Sequence, residues 1–302
     1  MLRESRTWLR LVALAPLATA PVMRPSFSLQ NSWPVLILSI AFAGCSSVVA
    51  SGPEADARKA AQERYAKAKA LFEERCKTAG VVIKRTVKDV EGIELTKIRQ
   101  PIPWAGKEYF DPMYPEAAMA GEYRGDDYIK QFLMTEIRDR LNPEQRGMLT
   151  SDNGPNCERC LPVILGYRFV EYRDSASDKL FRASFPGGAA LADWRLDFRR
   201  DEVGISRTRY ALDYEDLVNP ADRALWIAGS RLKVIDKQTG DVIAELTRYV
   251  WDSGFGVSTT GRWPWAHANA TGRSQTCPAE VGVRHQISRF FIDSIVQPNQ
   301  GK

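Results

Sequence analysis

Between residues 226 and 251 the sequence leaves little freedom in how the chain can fold. Leu232 and Val234 alternate with charged residues, residues 236–240 read Asp-Lys-Gln-Thr-Gly, and Val242, Ala244, Leu246 and Val250 return on every second position. A period of two on both sides of a short turn, with Gly240 where a positive φ is needed, predicts a β-hairpin with one buried face. A hairpin is not stable by itself in water, so the rest of the chain must extend its sheet and cover that face.

Flanking segments supply the means. Residues 54–79 are strong helix formers, and Ala57, Ala61, Tyr65, Ala68, Phe72 and Cys76 recur at spacings of four and three, with Arg58, Glu63, Lys67 and Glu74 on the other sides. This pattern predicts an amphipathic helix ended by Gly80. Residues 81–87 and 92–98 alternate and read as a hairpin around Asp89 and Gly92; 162–172 and 179–185 read as two strands joined by the polar turn 174–178; 194–198 and 208–214 add more strands. Residues 128–141 read as either helix or strand, although Ile129, Phe132, Leu133 and Ile137 suit a short helix. At the C-terminus Ile287, Phe290, Phe291 and Ile295 share a helical face, predicting a helix docked on the sheet. The expected class is α+β, with an antiparallel sheet or sheets and the N-terminal and C-terminal helices packed on them.

Upstream, the apolar run from Val35 to Gly44 is about ten residues, well below the ~20 that a helix needs to cross a bilayer. A basic, polar lead-in precedes it and Phe42-Ala43-Gly44-Cys45 closes it, which is the plan of a secretory signal. The closing four residues resemble the lipobox of bacterial lipoproteins, with Phe42 where Leu is usual. The resemblance implies that the Cys45 thiol is diacylated and becomes the mature N-terminus. Ser46, in place of Asp, implies sorting to the periplasmic face of the outer membrane. Residues 1–20 carry a second basic start, apolar stretch and Ala18-Thr19-Ala20 site, so Met23 is the better start of the signal. The expected organisation is a signal peptide over 1–44, a lipidated tether over 45–53 and a single periplasmic domain over 54–302, touching the membrane through its lipid alone.

Removing the leader changes the charge balance. It holds Arg3, Arg6, Arg10 and Arg24 against Glu4, so the net charge of +5 falls to +2 for the mature chain. A nucleic-acid partner, which calls for concentrated positive charge, is not expected. Four cysteines remain: Cys76, Cys157, Cys160 and Cys277. In an exported protein an even number reads as two disulfides, with three connectivities open; one of them, Cys76 to Cys277, would pin the N-terminal helix to the C-terminal region. Zinc binding by the four thiols is the alternative, but a lone C-x-x-C in an oxidising compartment favours pairing. The redox reading of that C-x-x-C is weakened by the turn-rich residues 151–156 before it, since such motifs open a helix after a strand.

Chemical motifs do not assemble. Ser151-Asp152-Asn153, Ser230 to Lys233 and Lys237 to Gly240 share letters with the three motifs of penicillin-binding enzymes, but in the wrong order and with the S-x-x-K inside a strand. His267 and His285 lack any orienting partner in sequence. Asp213, Glu215 and Asp216 alternate across a strand and read as a solvated face before a cation site. No cofactor or metal is implied. What stands out is the Pro- and aromatic-rich stretch 100–123, read either as a binding surface or as a lid over the core edge. Trp104, Tyr109 and Phe110 are the first candidates for partner contact, with Trp263 and Trp265 second. The 226–251 run, with Trp263-Pro-Trp265 and Thr276-Cys277-Pro278, resembles uncharacterised proteobacterial lipoproteins, some associated with immunity against type VI secretion effectors. That resemblance implies a protein that is not an enzyme and acts by binding a toxin. A structural or assembly lipoprotein of the envelope, or an envelope hydrolase with an unrecognised site, are the alternatives.

Overall fold

The hairpin over 226–251 lies one strand in from an end of a nine-stranded sheet. The computed structural model describes residues 52–103, 106–141, 146–148, 160–187, 197–258, 262–270, 275–279 and 285–300, with 146–148 and 160–163 as backbone alone. These belong to the unit Ser51–Lys302. Cys45, Trp104 and Cys157 lie outside the described residues.

In chain order the elements are α1 (Pro53–Cys76), β1 (Gly80–Ile83), β2 (Val87–Val90), β3 (Gly92–Leu95), α2 (Asp126–Leu133), β4 (Glu136–Asp139), β5 (Arg146–Met148), β6 (Cys160–Ile164), β7 (Phe169–Arg173) and β8 (Leu180–Ser184). Then come β9 (Arg199–Glu202), β10 (Tyr210–Leu217), α3 (Pro220–Ala224), β11 (Ile227–Asp236), β12 (Asp241–Trp251), α4 (Pro264–Ala270), β13 (Thr276–Cys277), α5 (Ile287–Asp293) and β14 (Val296–Pro298). The main sheet runs β1-β12-β11-β10-β3-β7-β8-β9, with β13 also on β12; β14-β2 and β5-β4-β6 form two small sheets.

The α+β class holds, and so does the hairpin, with Gly240 at φ 79° in its turn. The sheet is mixed where an antiparallel one was expected, because β3 lies parallel to both β7 and β10. A parallel neighbour needs a long crossover, and the chain between β3 and each partner supplies it. The hairpin expected over 81–98 does not form. β1 pairs with β12, β2 with β14, and β3 with β7 and β10. Only Glu91 separates β2 from β3, too little for a reversal, so alternation here marked strands but not their partners.

Strand alternation divides the core between two faces. Leu232, Val234 and Leu246 point to one side, where Tyr128, Ile129, Phe132 and Leu133 of α2 and Ile287, Phe290 and Phe291 of α5 cover them. Ile227, Tyr249 and Trp251 point to the other and meet Ala68 and Phe72 of α1. The predicted stripe of α1 is therefore buried only near its C-terminal end: residues 53–67 are all exposed, although the Tyr65 ring still lies 5.1 Å from that of Trp251. Pro53 in the first turn, Glu54 and Asp56 at the positive end of the helix, and the Glu54–Arg58 pair at 2.6 Å support this unpacked stretch locally.

Candidate functional site

The aromatic candidates do come together, but mostly inward. Two short 3-10 turns, Lys107–Phe110 and Pro115–Met119, fold residues 106–123 against α4 and the even face of β11 and β12. Tyr109 stacks on Trp263 with ring centroids 6.0 Å apart, and Trp265 lies 4.9 Å from Trp226. Trp265 Nε1 donates to the Asp111 carbonyl at 2.8 Å, and Asn269 Nδ2 donates to the Ala117 carbonyl at 2.9 Å. Tyr109 and Trp265 are buried, Trp263 is half-buried, and Phe110 is 38 % exposed. The segment thus acts as the lid among the two readings, and of the described aromatic candidates Phe110 and part of Trp263 reach solvent.

A buried ionic cluster fastens that lid. Arg99, wholly buried, lies over the Tyr214 ring at 4.0 Å, with the Glu116 and Asp216 carboxylates each 3.9 Å away. Burial works against the Arg99 charge, but Tyr128, Glu116 and Asp216 outweigh it and raise the guanidinium's pKa; burial pushes the Asp216 carboxyl up against the pull of Arg99. The three acids read together in sequence go separate ways. Asp213 pairs with Lys97, Glu215 with Lys233 and Arg231, and Asp216 turns inward. Among the described residues no group of three or more His, Cys, Asp or Glu is placed to hold a metal ion. His285 Nδ1 meets the Gly121 carbonyl and its ring stacks on Tyr123, while His267 is exposed on α4.

A second polar cluster joins four strands near the turn of the hairpin. Lys237 Nζ donates to Ser206 Oγ at 2.7 Å, to Thr208 Oγ1 at 2.8 Å and to Glu94. Ser206 Oγ donates to buried Glu171 at 2.6 Å, which also receives Arg182 at 2.6 and 3.0 Å and the Arg207 backbone N–H at 3.1 Å. Burial would raise the Glu171 pKa, but the hydrogen bonds from Ser206, Arg182 and Arg207 outweigh it and hold the carboxyl below its ordinary value. A serine beside a lysine invites a nucleophile–base reading. Here Lys237 Nζ donates to Ser206 and to Glu94, and the serine proton is directed to Glu171, so neither group is set for that role. Sequence inspection missed this cluster, whose members lie as far apart as Glu94 and Lys237.

The outer side of β12 is finished by two short strands. β1 pairs with residues 244–247 and β13 with 249–250, and the Cys76–Cys277 disulfide, S–S 2.07 Å, joins the helix that feeds β1 to β13. This is one of the pairings left open by the sequence. β1 ends the sheet, and among the described residues no strand pairs with its outer edge. Its side chains are Val81, Val82 and Ile83, 50 %, 60 % and 46 % exposed, followed by exposed Lys84.

No family model matches this chain. No curated protein and no solved structure matches it either. Among the described residues no helix is long and apolar enough to cross a membrane.

Proposed function

We propose that this domain works by binding a protein partner at the β1 edge, and that the partner is a secreted antibacterial effector which the domain neutralises. The observation that carries the reading is the run of three consecutive exposed apolar side chains on a terminal strand whose outer edge no strand pairs among the described residues. Such an edge offers a row of free backbone donors and acceptors to a strand of another chain, while apolar side chains on both faces add contact area. Exposed Lys84 and Lys88 beside it suit a partner strand with acidic flanks. The resemblance of Phe42-Ala43-Gly44-Cys45 to a lipobox supports a lipid anchor, and with Ser46 an outer-membrane, periplasm-facing site of action.

The test is capture of partners by the full chain from periplasmic extract, compared with Val82→Lys. An effector retained by the parent and lost from Val82→Lys is the expected result; capture of an envelope-machine component would favour the assembly role, and capture indifferent to Val82→Lys would remove the edge from the argument. Cys45→Ser is expected to leave the membrane fraction and to lose labelling by palmitate.

A further inference from the structure

Beside the Ser206–Lys237 cluster, a cleft of about 400 Å³ opens between the ends of β3, β7, β8 and β10. Its apolar lining includes Phe169 and Tyr210. The Phe169 ring lies where a Cβ on Gly92 would come within 2.4 Å, so glycine is what lets the ring lie there. Three guanidinium groups, Arg182, Arg207 and Arg209, line the cleft.

Two of these are held in advance. Arg182 spends Nε and Nη2 on Glu171 and lies 4.8 Å from the Phe169 ring centre. Arg209 spends Nε and Nη2 on Asp236, at 3.0 and 2.8 Å, and lies 5.4 Å from Tyr210. Each keeps the N–H groups of Nη1 outside those pairs. Arg207 is exposed, and its backbone is fixed by Glu171. Glu91 is the one carboxylate in the lining, and it pairs with Arg168 at 2.7 Å. Asp236 is shared by Arg209 and Arg85. The lining and its direct ion-pair partners therefore carry one positive charge in excess, and Arg85 on the far side of Asp236 adds a second.

We propose that this cleft binds a phosphoryl group. A phosphomonoester carries about −1.5 to −2 charges near neutral pH, which matches the excess, and its oxygens accept the forked donors that arginine presents. Carboxylates and ring faces fix two of the arginines before any ligand arrives, so little side-chain freedom is lost on binding. The group belongs either to a soluble phosphate compound or to a lipid headgroup.

Calorimetric titration of the full chain with inorganic phosphate at low ionic strength tests this. Saturable binding is expected, weakened by salt and by roughly tenfold or more in Arg207→Ala, with Arg207→Lys intermediate because it keeps charge but loses the fork. Arg207 is exposed, and unchanged thermal unfolding of Arg207→Ala checks that the fold survives. Sedimentation with phosphatidylcholine vesicles, with and without phosphatidic acid, separates the sources. Extra retention by phosphatidic acid that disappears in Arg207→Ala identifies a headgroup; equal retention alongside phosphate binding identifies a soluble ligand. No phosphate binding by the parent chain, or equal binding by Arg207→Ala, would overturn the proposal.

Discussion

At one end of the main sheet β9 reads Arg-Arg-Asp-Glu, and its charges are engaged: Arg199 with Asp201 at 2.8 Å, Glu202 with Lys179 at 2.8 Å, and Arg200 with Asp126 while lying over Phe198. At the other end β1 reads Gly-Val-Val-Ile and carries its apolar side chains into solvent. Charged side chains are a usual protection against unwanted strand pairing. The same sheet thus guards one edge by charge and leaves the other open. The edge beside the disulfide is the one left apolar, and the proposed partner site rests on that contrast.

Five perturbations test whether the two edges differ in this way. Replacing Cys76 and Cys277 together by serine has the largest expected effect. The bridge closes a loop across 201 residues, worth about 5 kcal/mol in the entropic model, or roughly 10–20 °C in Tm. Amide exchange should rise in β1 and β13 and stay unchanged in β7 to β9; uniform loosening would mean that the staple does not belong to one edge. Next is Trp265→Ala, which opens a cavity beside Trp226 and should cost about 3–5 kcal/mol by denaturant unfolding. If that variant stays folded and loses its partner while Val82→Lys does not, the binding surface lies at the aromatic lid and the contrast between the edges loses its functional meaning.

Acid gives a more gradual effect. Hydrogen bonds from Arg209, Gln238 and Arg85 hold the Asp236 carboxyl at about 2, and Arg85 follows closely after β1 in the chain. A depressed carboxylate pKa stabilises the fold fully above the ordinary value of ~3.9, and the contribution is lost as pH falls through the folded value. Glu171 acts in the same direction. Tm should therefore decline between about pH 4 and pH 2, and Asp236→Asn should flatten that decline; an unchanged slope would show that other carboxylates govern it. The smallest effect on folding belongs to Val82→Lys, within about 0.5 kcal/mol, since the side chain is already exposed. Its effect on partner affinity should be tenfold or more. The reciprocal change, Arg199→Val with Asp201→Val on β9, should create self-association measurable by sedimentation; a monomer would argue that charge is not what guards that edge.

Local periodicity made the hairpin of β11 and β12 and both terminal helices legible, because burial repeats at two or 3.6 residues wherever one face is covered. Partner choice was not legible. Residues 81–98 alternate as a hairpin would, yet three segments of that run join four different neighbours, since a period of two names a face and not a companion. The stretch 100–123 announced itself by its aromatics, but composition does not say which side faces in, and Tyr109 went to the core. Buried Arg99 was hidden for a different reason. A charged residue reads as exposed until Glu116, Asp216 and Tyr214 are seen around it. The phosphoryl cleft drew its arginines from two separate segments, and nothing local in the sequence marks such a meeting.

One feature of α1 bears on geometry at a larger scale. Its residues 53–67 are exposed, Arg64 and Tyr65 lie against the rings of Phe255 and Trp251, and the first buried side chain is Ala68. At 1.5 Å per residue, 53–63 form a spar of about 16 Å between the start of the helix and these first contacts. Removing two full turns from its exposed start would shorten the spar by about 11 Å while leaving Ala68 and Phe72 where they pack. The distance from the start of α1 to its first buried side chain is thus written in helix length, and can be adjusted turn by turn.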